Sequence, residues 1–461
     1  MLENLLKYLE NKKILIVGFG KEGEASYFFL REHFPEKRLA IADKNMNLLE
    51  DKKFLLEDIN VEVSLGEDYF RDVKEYDLIL KTPGISLKDI DISSFKDKIT
   101  SQLELLLEFV PCFTIGITGT KGKSTTSSLI YTVLKEQGKD AMLLGNIGEP
   151  IFRDLSLIKK DTILVLELSS HSLEYVKRSP NIAILLDIYE EHLDHYISFN
   201  HYIAAKFNIS KFQTKKDNFI FNATNKYIKE FNFTPKEKDY AIFEVGTDLT
   251  EEMLKQYKNY VCVKENRIYC NERNICDSNL NTNLKGTHNL NNILFVMALV
   301  DTLKLDFSKA IKTIENFKTL EHRMEFVVEI DGIKYYNDSI ATIPEATINA
   351  IKALKNVNTL IVGGKDRGVD LSELYEFLKA SDLENIICLP KTGEYIFKAL
   401  ENSGKNCYIV NDLKDAVSKA KKITRKDSIC LLSPAASSYG YFKNFEERGN
   451  LFKKYVLDKT V

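Results

Sequence analysis

Short β-branched runs alternate with longer helical patterns along almost the whole chain, and three of those runs end in glycine. This alternation constrains the fold more than any other feature. Strands separated by helix-length segments pair in parallel, and a parallel sheet needs helices over its faces. The pattern predicts an α/β protein with mainly parallel sheets. Strands are expected at 13–17, 39–42, 78–81, 114–118, 162–168, 182–186 and 218–221, followed by a β-rich patch at 260–275. Later strands are expected at 324–330, 333–337, 359–362, 386–389, 407–409 and 428–432. The glycine-bearing ends begin at Gly18, Thr118 and Val362, and each opens its own βα unit. At roughly 100–200 residues per domain, the chain is expected to form three: 1–102, 103–318 and 319–461.

Composition narrows the classes of function. Lys+Arg 64 against Asp+Glu 67 leaves a net charge of −3, which gives no electrostatic case for nucleic-acid binding. Seven scattered cysteines form neither a disulfide framework nor a zinc-ligand spacing, and read as buried thiols in a reducing compartment. The opening MLENLLKYLENKK reads as an amphipathic helix, with charges interrupting any apolar core of a signal peptide. No apolar stretch approaches the ~18–20 residues of a membrane span. A cytoplasmic protein without membrane or nucleic-acid partners is expected, acting as a monomer.

The first glycine cluster, Gly18-Phe-Gly20-Lys21-Glu-Gly23, follows a strand and precedes a helical segment, and Asp43 closes the next strand. This is the dinucleotide fingerprint of a Rossmann-like domain: a tight turn, close backbone approach to an anion, and an acid for a ribose hydroxyl. Read alone it fits NAD(H) or a ligand-free tight turn. A second turn, Lys81-Thr82-Pro83-Gly84, ends another strand beside it, and the two together suggest a nucleotide-diphosphate cradle.

The second cluster, Thr118-Gly119-Thr120-Lys121-Gly122-Lys123-Ser124-Thr125, joins a strand to a helix start. Ile117 stands where a full Walker A motif has its first glycine, but the working end is present. Backbone N–H groups cradle phosphates, Lys123 neutralises them and a hydroxyl reaches Mg²⁺. The next apolar strand ends in Glu167-Leu-Ser169-Ser170, which offers either a Mg²⁺ ligand or a turn cap. His192 follows a further strand, and Lys206 lies in Tyr202-Ile-Ala-Ala-Lys206. The central domain is therefore expected to be an ATPase of P-loop type.

Taken in order, these pieces resemble the Mur ligase family, the ATP-dependent amino-acid ligases of bacterial peptidoglycan synthesis. The resemblance is carried by T-G-T-K-G-K-S-T (118–125), G-N-I-G (145–148), E-L-S-S (167–170), E-H-L-D (191–194), Y-I-A-A-K (202–206) and H-N-L-N-N (288–292). It continues through H-R-M-E (322–325), N-D-S (337–339), L-S-P-A-A-S-S (432–438) and F-K-N-F-E-E-R-G (442–449). The first-domain fingerprint, the K-T-P-G turn and the C-terminal motifs are similar to those of the family's D-glutamate-adding branch. Other acceptors, folate polyglutamylation, an NAD oxidoreductase and a decayed non-catalytic ligase are the competing readings.

The resemblance implies three domains: a Rossmann-like one, a central P-loop ATPase and a C-terminal Rossmann-like α/β domain. It implies UDP-MurNAc-L-Ala, D-glutamate and ATP as substrates, with Mg²⁺. The first domain would then hold the uridine diphosphate through Gly20, Lys21, Asp43, Lys44, Thr82, Pro83 and Gly84, with Asn146 also on the sugar nucleotide. ATP would meet Gly119, Thr120, Lys121, Gly122, Lys123, Ser124 and Thr125, with Asn289 and Asn292 near adenine and Arg323 and Asp338 on phosphate and ribose. Ser124, Glu167, His192 and a carbamylated Lys206 would hold metal, and Lys123, Glu167, His192 and Lys206 would be catalytic. D-Glutamate would meet Thr342, Arg367, Ser438 and Phe445. Three departures from the family pattern stand out: Ile340 after Asn337-Asp338-Ser339, Ser172 for a usual glutamine, and Asn222-Ala-Thr-Asn225 without the usual acidic pair.

Overall fold

The fold is taken from a computed structural model that describes residues 2–70, 72–145, 150–153, 155–193, 195–231, 233–317, 321–366, 370–438 and 440–458, without the side chains of Arg153 and Glu345. Asn146 and Arg367 lie outside the described residues. Two compact units result, one of residues 1–281 with 290–315 and the other of 282–289 with 316–461.

The first unit holds two sheets. One is five-stranded and parallel, in the order Val61–Leu65, Leu39–Asp43, Ile14–Val17, Leu78–Lys81, Ile99–Thr100. The chain winds outward from Ile14–Val17 in one direction and then the other. The ends of Ile14–Val17 and Leu78–Lys81 thus flank the point of reversal, where open α/β sheets bind ligands.

The other sheet has nine strands: Arg273–Asp277, Arg267–Cys270, Asn259–Lys264, Tyr240–Ile242, Asn218–Asn222, Ile182–Leu185, Phe113–Thr118, Ile163–Glu167 and Ala141–Gly145. Only the first three pair antiparallel. Their hairpin turns through Glu265 and Asn266, both at positive φ, as a two-residue loop requires. Phe113–Thr118 sits between Ile163–Glu167 and Ile182–Leu185, and its apolar run is buried on both faces. One apolar core runs from Leu5 and Leu9 of the first helix, through Leu103 and Leu106, to Phe219 and Phe221.

In the second unit the order is Glu325–Ile330, Ile333–Asn337, Ser428–Leu432, Val357–Gly364, Asn385–Lys391, Asn406–Ile409, with only the first pair antiparallel. Alternate residues of Val357–Gly364 face opposite sides. Leu360 and Val362 pack with Leu374, Leu378 and Ile396 of the helices on one face. Ile361 packs with Ala416, Val417 and Phe452 of the helices on the other.

The α/β class with mostly parallel sheets is as the sequence predicts. Four strands were not expected: Val61–Leu65, Ile99–Thr100, Ala141–Gly145 and Tyr240–Ile242. The first is an edge strand with alternate residues in solvent, so polar residues break its apolar run, and the last has only three residues. All seven cysteines are free thiols, and five are buried. Among the described residues no helix is long and apolar enough to cross a membrane.

Candidate active site

Gly18 turns at φ +86°, where a β-carbon would fall 2.2 Å from Thr82 Oγ1; at Gly23 it would fall 2.1 Å from the Gly18 carbonyl oxygen. Only glycine lets the turn, the helix Lys21–His33 and the Thr82-Pro83-Gly84 loop lie this close. Thr82 is held by its N–H and its hydroxyl, both donating to the Val17 carbonyl at 2.9 and 3.1 Å. Asp43 accepts from the Phe19 N–H at 2.6 Å and from the Asn45 N–H at 2.8 Å, so its carboxylate also builds the turn. Gly20, Lys21, Lys44 and Gly84 are exposed around this cradle, and Pro83 is half-buried.

The phosphate-loop residues converge more tightly. Helix Lys123–Glu136 starts at Gly122, whose φ of +84° admits the turn. Lys123 Nζ donates to the carbonyls of Gly119 and Thr120, each at 2.9 Å. Lys206, 1% exposed, donates to the same Gly119 carbonyl at 2.7 Å. Burial, and then the nearby Lys123 cation, hold Lys206 well below the ordinary lysine value. Thr120 shares a hydrogen bond with Tyr202 OH at 2.7 Å, and Tyr202 lies one helical turn before Lys206. Lys121 and Thr125 flank the same turn, with Thr125 buried.

Strand Ile163–Glu167 pairs with Phe113–Thr118 so that Glu167 stands opposite Ile117. This register carries Glu167, 1% exposed, to Ser124, whose hydroxyl donates to its carboxylate at 3.2 Å. His192, at φ +60°, packs its ring 4.6 Å from His171 and 6.1 Å from Tyr202. Burial, then His195 and His192, push the His171 imidazole down to about 3, which keeps it neutral. A small cleft of about 90 Å³ is lined by Glu22, Pro83, Glu167, Ser169 and Ser172, among others. It joins the K-T-P-G turn to the carboxylate facing the phosphate loop. Burial pushes the Glu22 carboxyl up to about 7 against the pull of Lys81.

Two carboxylates border Asn222, where the usual acidic pair is missing. Asn222 Nδ2 donates both to Asp187 Oδ1 and, at 2.8 Å, to Glu244 Oε1, and Asn225 Nδ2 donates to the Ile188 carbonyl at 3.0 Å. Both carboxylates follow the ends of neighbouring strands. Burial and Glu244 raise the Asp187 carboxyl to about 7. The Asp187 carbonyl in turn accepts from the Thr120 N–H at 2.7 Å. Asn292 Oδ1 lies where a β-carbon on Gly122 would come within 2.5 Å, so this amide touches the loop. Sequence reasoning missed Asp187, Glu244 and Glu174; no local motif marks them.

In the second unit, Asn289 donates to the Lys285 carbonyl at 2.8 Å. Asp338 is 4% exposed and accepts from the Ser433 hydroxyl at 2.8 Å and the Met324 N–H at 3.1 Å. Burial raises it to about 7, and Arg323 and Arg448 pull against that. Arg448 is fully buried and donates to the Ser339 hydroxyl, the Ser339 carbonyl and the Ala436 carbonyl at 3.0, 2.7 and 3.1 Å. The Ser339 hydroxyl donates on to the Phe445 carbonyl at 2.8 Å. Ser438 is buried, and its carbonyl accepts from the N–H groups of Tyr441 and Phe442 at 3.3 and 3.0 Å. Thr342 is half-buried beside this group in sequence, three residues after Ser339.

The Mur ligase middle domain matches residues 117–300, and the Mur ligase glutamate ligase domain matches residues 322–436. A UDP-N-acetylmuramoylalanine–D-glutamate ligase of Clostridium botulinum (strain Langeland) is 34% identical over 459 residues, covering 97% of each chain. One from Clostridium kluyveri is 33% identical over 470 residues, covering 99% of each. Among solved structures, UDP-N-acetylmuramate-alanine ligase MurC of Thermotoga maritima superposes with a TM-score of 0.59 at 19% identity, over 96% of this chain and 99% of that one. MurF ligase of Thermotoga maritima gives 0.54 at 16% identity, over 97% and 96%. Those two establish the fold; the sequence matches and the ordered motifs establish that this chain belongs to the Mur ligase family.

Proposed function

We propose that this chain ligates D-glutamate to UDP-N-acetylmuramoyl-L-alanine at the expense of ATP, a step of peptidoglycan synthesis in the cytoplasm, and that it acts as a monomer. Its near full-length relatives carry that activity in their names. The observation that carries the reading is the cleft in which Pro83 of the sugar-nucleotide turn and Glu167 of the phosphate-loop strand share one wall. A substrate held by its diphosphate at one end can reach the ATP γ-phosphate at the other.

Two steps make the amide. An L-alanyl carboxylate oxygen attacks the γ-phosphorus, the bond to the β,γ-bridging oxygen breaks, and ADP leaves. The D-glutamate amine then attacks the acyl carbon, the amine loses a proton and phosphate departs. The first step joins like charges and the second builds a tetrahedral oxyanion, so cations and N–H donors must supply the stabilisation. Lys123 takes the β/γ-phosphates, and Gly119, Thr120, Lys121, Gly122, Ser124 and Thr125 line the loop. Asn289 and Asn292 face adenine, and Arg323 and Asp338 face phosphate and ribose. Gly20, Lys21, Asp43, Lys44, Thr82, Pro83, Gly84 and Asn146 serve the sugar nucleotide. Thr342, Arg367, Ser438 and the Phe445 backbone serve D-glutamate. The division at 102 and 318 assigns these tasks to three domains.

The residues present fit Mg²⁺. Glu167 is a buried carboxylate already hydrogen-bonded to the Ser124 hydroxyl, and hard oxygen donors of this kind hold that ion. Ser124, Glu167, His192 and Lys206 would hold it, and bound there it would neutralise charge building on the phosphates. Lys206 enters only as a carbamate. Burial favours its neutral amine, the form that adds CO₂, forming an N–C bond and releasing one proton to leave an oxygen anion.

The test is phosphate release with ATP, Mg²⁺ and UDP-N-acetylmuramoyl-L-alanine, with D-glutamate present or omitted. Release only with D-glutamate is expected. Release with another amino acid instead would keep the family chemistry and overturn the acceptor.

A further inference from the structure

We propose that Lys81 and Glu174 form a positioning pair that holds the sugar-nucleotide turn in register with His192 and His195. The proposal rests on the function assigned above. Lys81 ends strand Leu78–Lys81 and is 4% exposed. A lysine buried this far requires acceptors around its ammonium group. Its Nζ donates to the Thr82 carbonyl at 3.3 Å and lies 3.6 Å from Glu174 Oε2, with the Tyr175 ring centroid at 5.4 Å. Glu22 adds a second carboxyl to its field.

The pair continues on the other side. Glu174 Oε2 lies 3.2 Å from His195 Nε2, and Ser86 Oγ donates to the His195 carbonyl at 2.7 Å. The His195 ring packs 4.2 Å from His171, which packs 4.6 Å from His192. A line of contacts therefore runs from Thr82, on the turn assigned to the sugar nucleotide, to His192, assigned to the metal. Its two halves belong to different sheets: Lys81, Thr82 and Ser86 follow the five-stranded one, and Glu174 and His195 follow strands of the nine-stranded one.

Stability alone does not account for this pair. A buried ion pair contributes little over well-packed apolar residues of the same volume, because desolvation offsets the attraction. What an ammonium–carboxylate pair adds is a fixed partner: separating the two leaves an uncompensated buried charge, whereas apolar contact tolerates sliding. Sliding is what the reaction cannot accept. The sugar nucleotide is gripped at one end of the cleft and reacts at the other, and a shift on the order of 1 Å costs about a hundredfold in rate.

The experiment compares wild type, Lys81→Met, Lys81→Arg, Glu174→Gln and the double variant Lys81→Met/Glu174→Gln in the full chain. Calorimetry without Mg²⁺ or ATP reads binding of UDP-N-acetylmuramoyl-L-alanine and, separately, of ADP; kinetics and thermal midpoints accompany it. For Lys81→Met, sugar-nucleotide binding about tenfold weaker is expected, with ADP binding within about twofold of wild type, as loss of one positioning contact predicts. Lys81→Arg should recover part of the loss, and the double variant should be no worse than the poorer single one, because the two residues act as a unit. Wild-type sugar-nucleotide affinity in Lys81→Met overturns the proposal. So does an equal loss of ADP binding together with a collapse of the thermal midpoint, which marks a merely structural lysine. Absence of D-glutamate-dependent phosphate release from the wild type would overturn the assigned reaction instead, and the binding comparison would still decide the role of the pair.

Discussion

Lys123 and Lys206 meet at one atom. Both Nζ atoms donate to the Gly119 carbonyl, so a charge on either raises the electrostatic cost of a charge on the other. Lys123 is the one open to a phosphate, and Lys123→Ala is expected to lower turnover by about a thousandfold or more, as loss of a transition-state cation does. Near-normal phosphate release from that variant would sink the phosphate-loop assignment. Asp338 offers a test of burial. Its folded value of about 7 stands above the ordinary 3.8, so the native state holds its proton more tightly than the unfolded chain. That contribution is complete below the unfolded value and is lost as pH rises through about 7. Asp338→Asn removes it while keeping an acceptor for the Met324 N–H. Between about pH 5 and 7 the wild type should lose roughly 1.4 kcal/mol per pH unit relative to the variant, read from urea unfolding. Equal pH slopes would mean that Arg323 and Arg448 keep the carboxylate ionised.

At the scale of elements, the start of helix Lys123–Glu136 shows how one glycine serves two purposes. Gly122 holds φ +84°, and a β-carbon there would stand 2.5 Å from Asn292 Oδ1. Gly122→Ala is expected to lose about 1–2 kcal/mol to the left-handed backbone, and also to weaken nucleotide binding by displacing Asn292. Gly138, at φ +76° with nothing within 4 Å of its β-carbon, is the control. Gly138→Ala should lose similar stability in urea with nucleotide affinity intact. Elements of this kind were legible because strand, glycine loop and helix stand consecutively in the chain. The Asp187–Asn222–Glu244 group was not. Its three residues come from the ends of three strands, and only the sheet order brings them together. The sequence shows Asn222 and Asn225 merely as a departure from a pattern; the structure shows two carboxylates beside Asn222. Tyr202 was quoted as part of a motif, but its bond to Thr120 depends on the register of a helix against the phosphate loop.

For the whole molecule, the order of motifs along the chain announced the family more securely than any single one, since each motif alone has a bland structural explanation. What order does not convey is how cores divide. The first unit carries one apolar core running continuously from Leu5 to Cys262, with a second cluster about Leu15, Ile79 and Phe95. The second unit has its own, around Leu360 and Leu374 on one face of its sheet and Ile361 and Phe452 on the other. Gln102, at the expected first boundary, is fully buried, and its amide donates to the Glu22 carbonyl and Ser26 while accepting from the Phe152 N–H. Residues on either side of 102 are therefore expected to unfold as one, and those of the second unit separately. Scanning calorimetry should resolve two transitions. UDP-N-acetylmuramoyl-L-alanine, whose assigned contacts all lie in the first unit, should raise only one of them, by about 2.7 kcal/mol at a hundred times its Kd. Equal movement of both transitions would show that the units unfold together, and movement of neither would remove the sugar nucleotide from the cradle at Gly18 and Thr82.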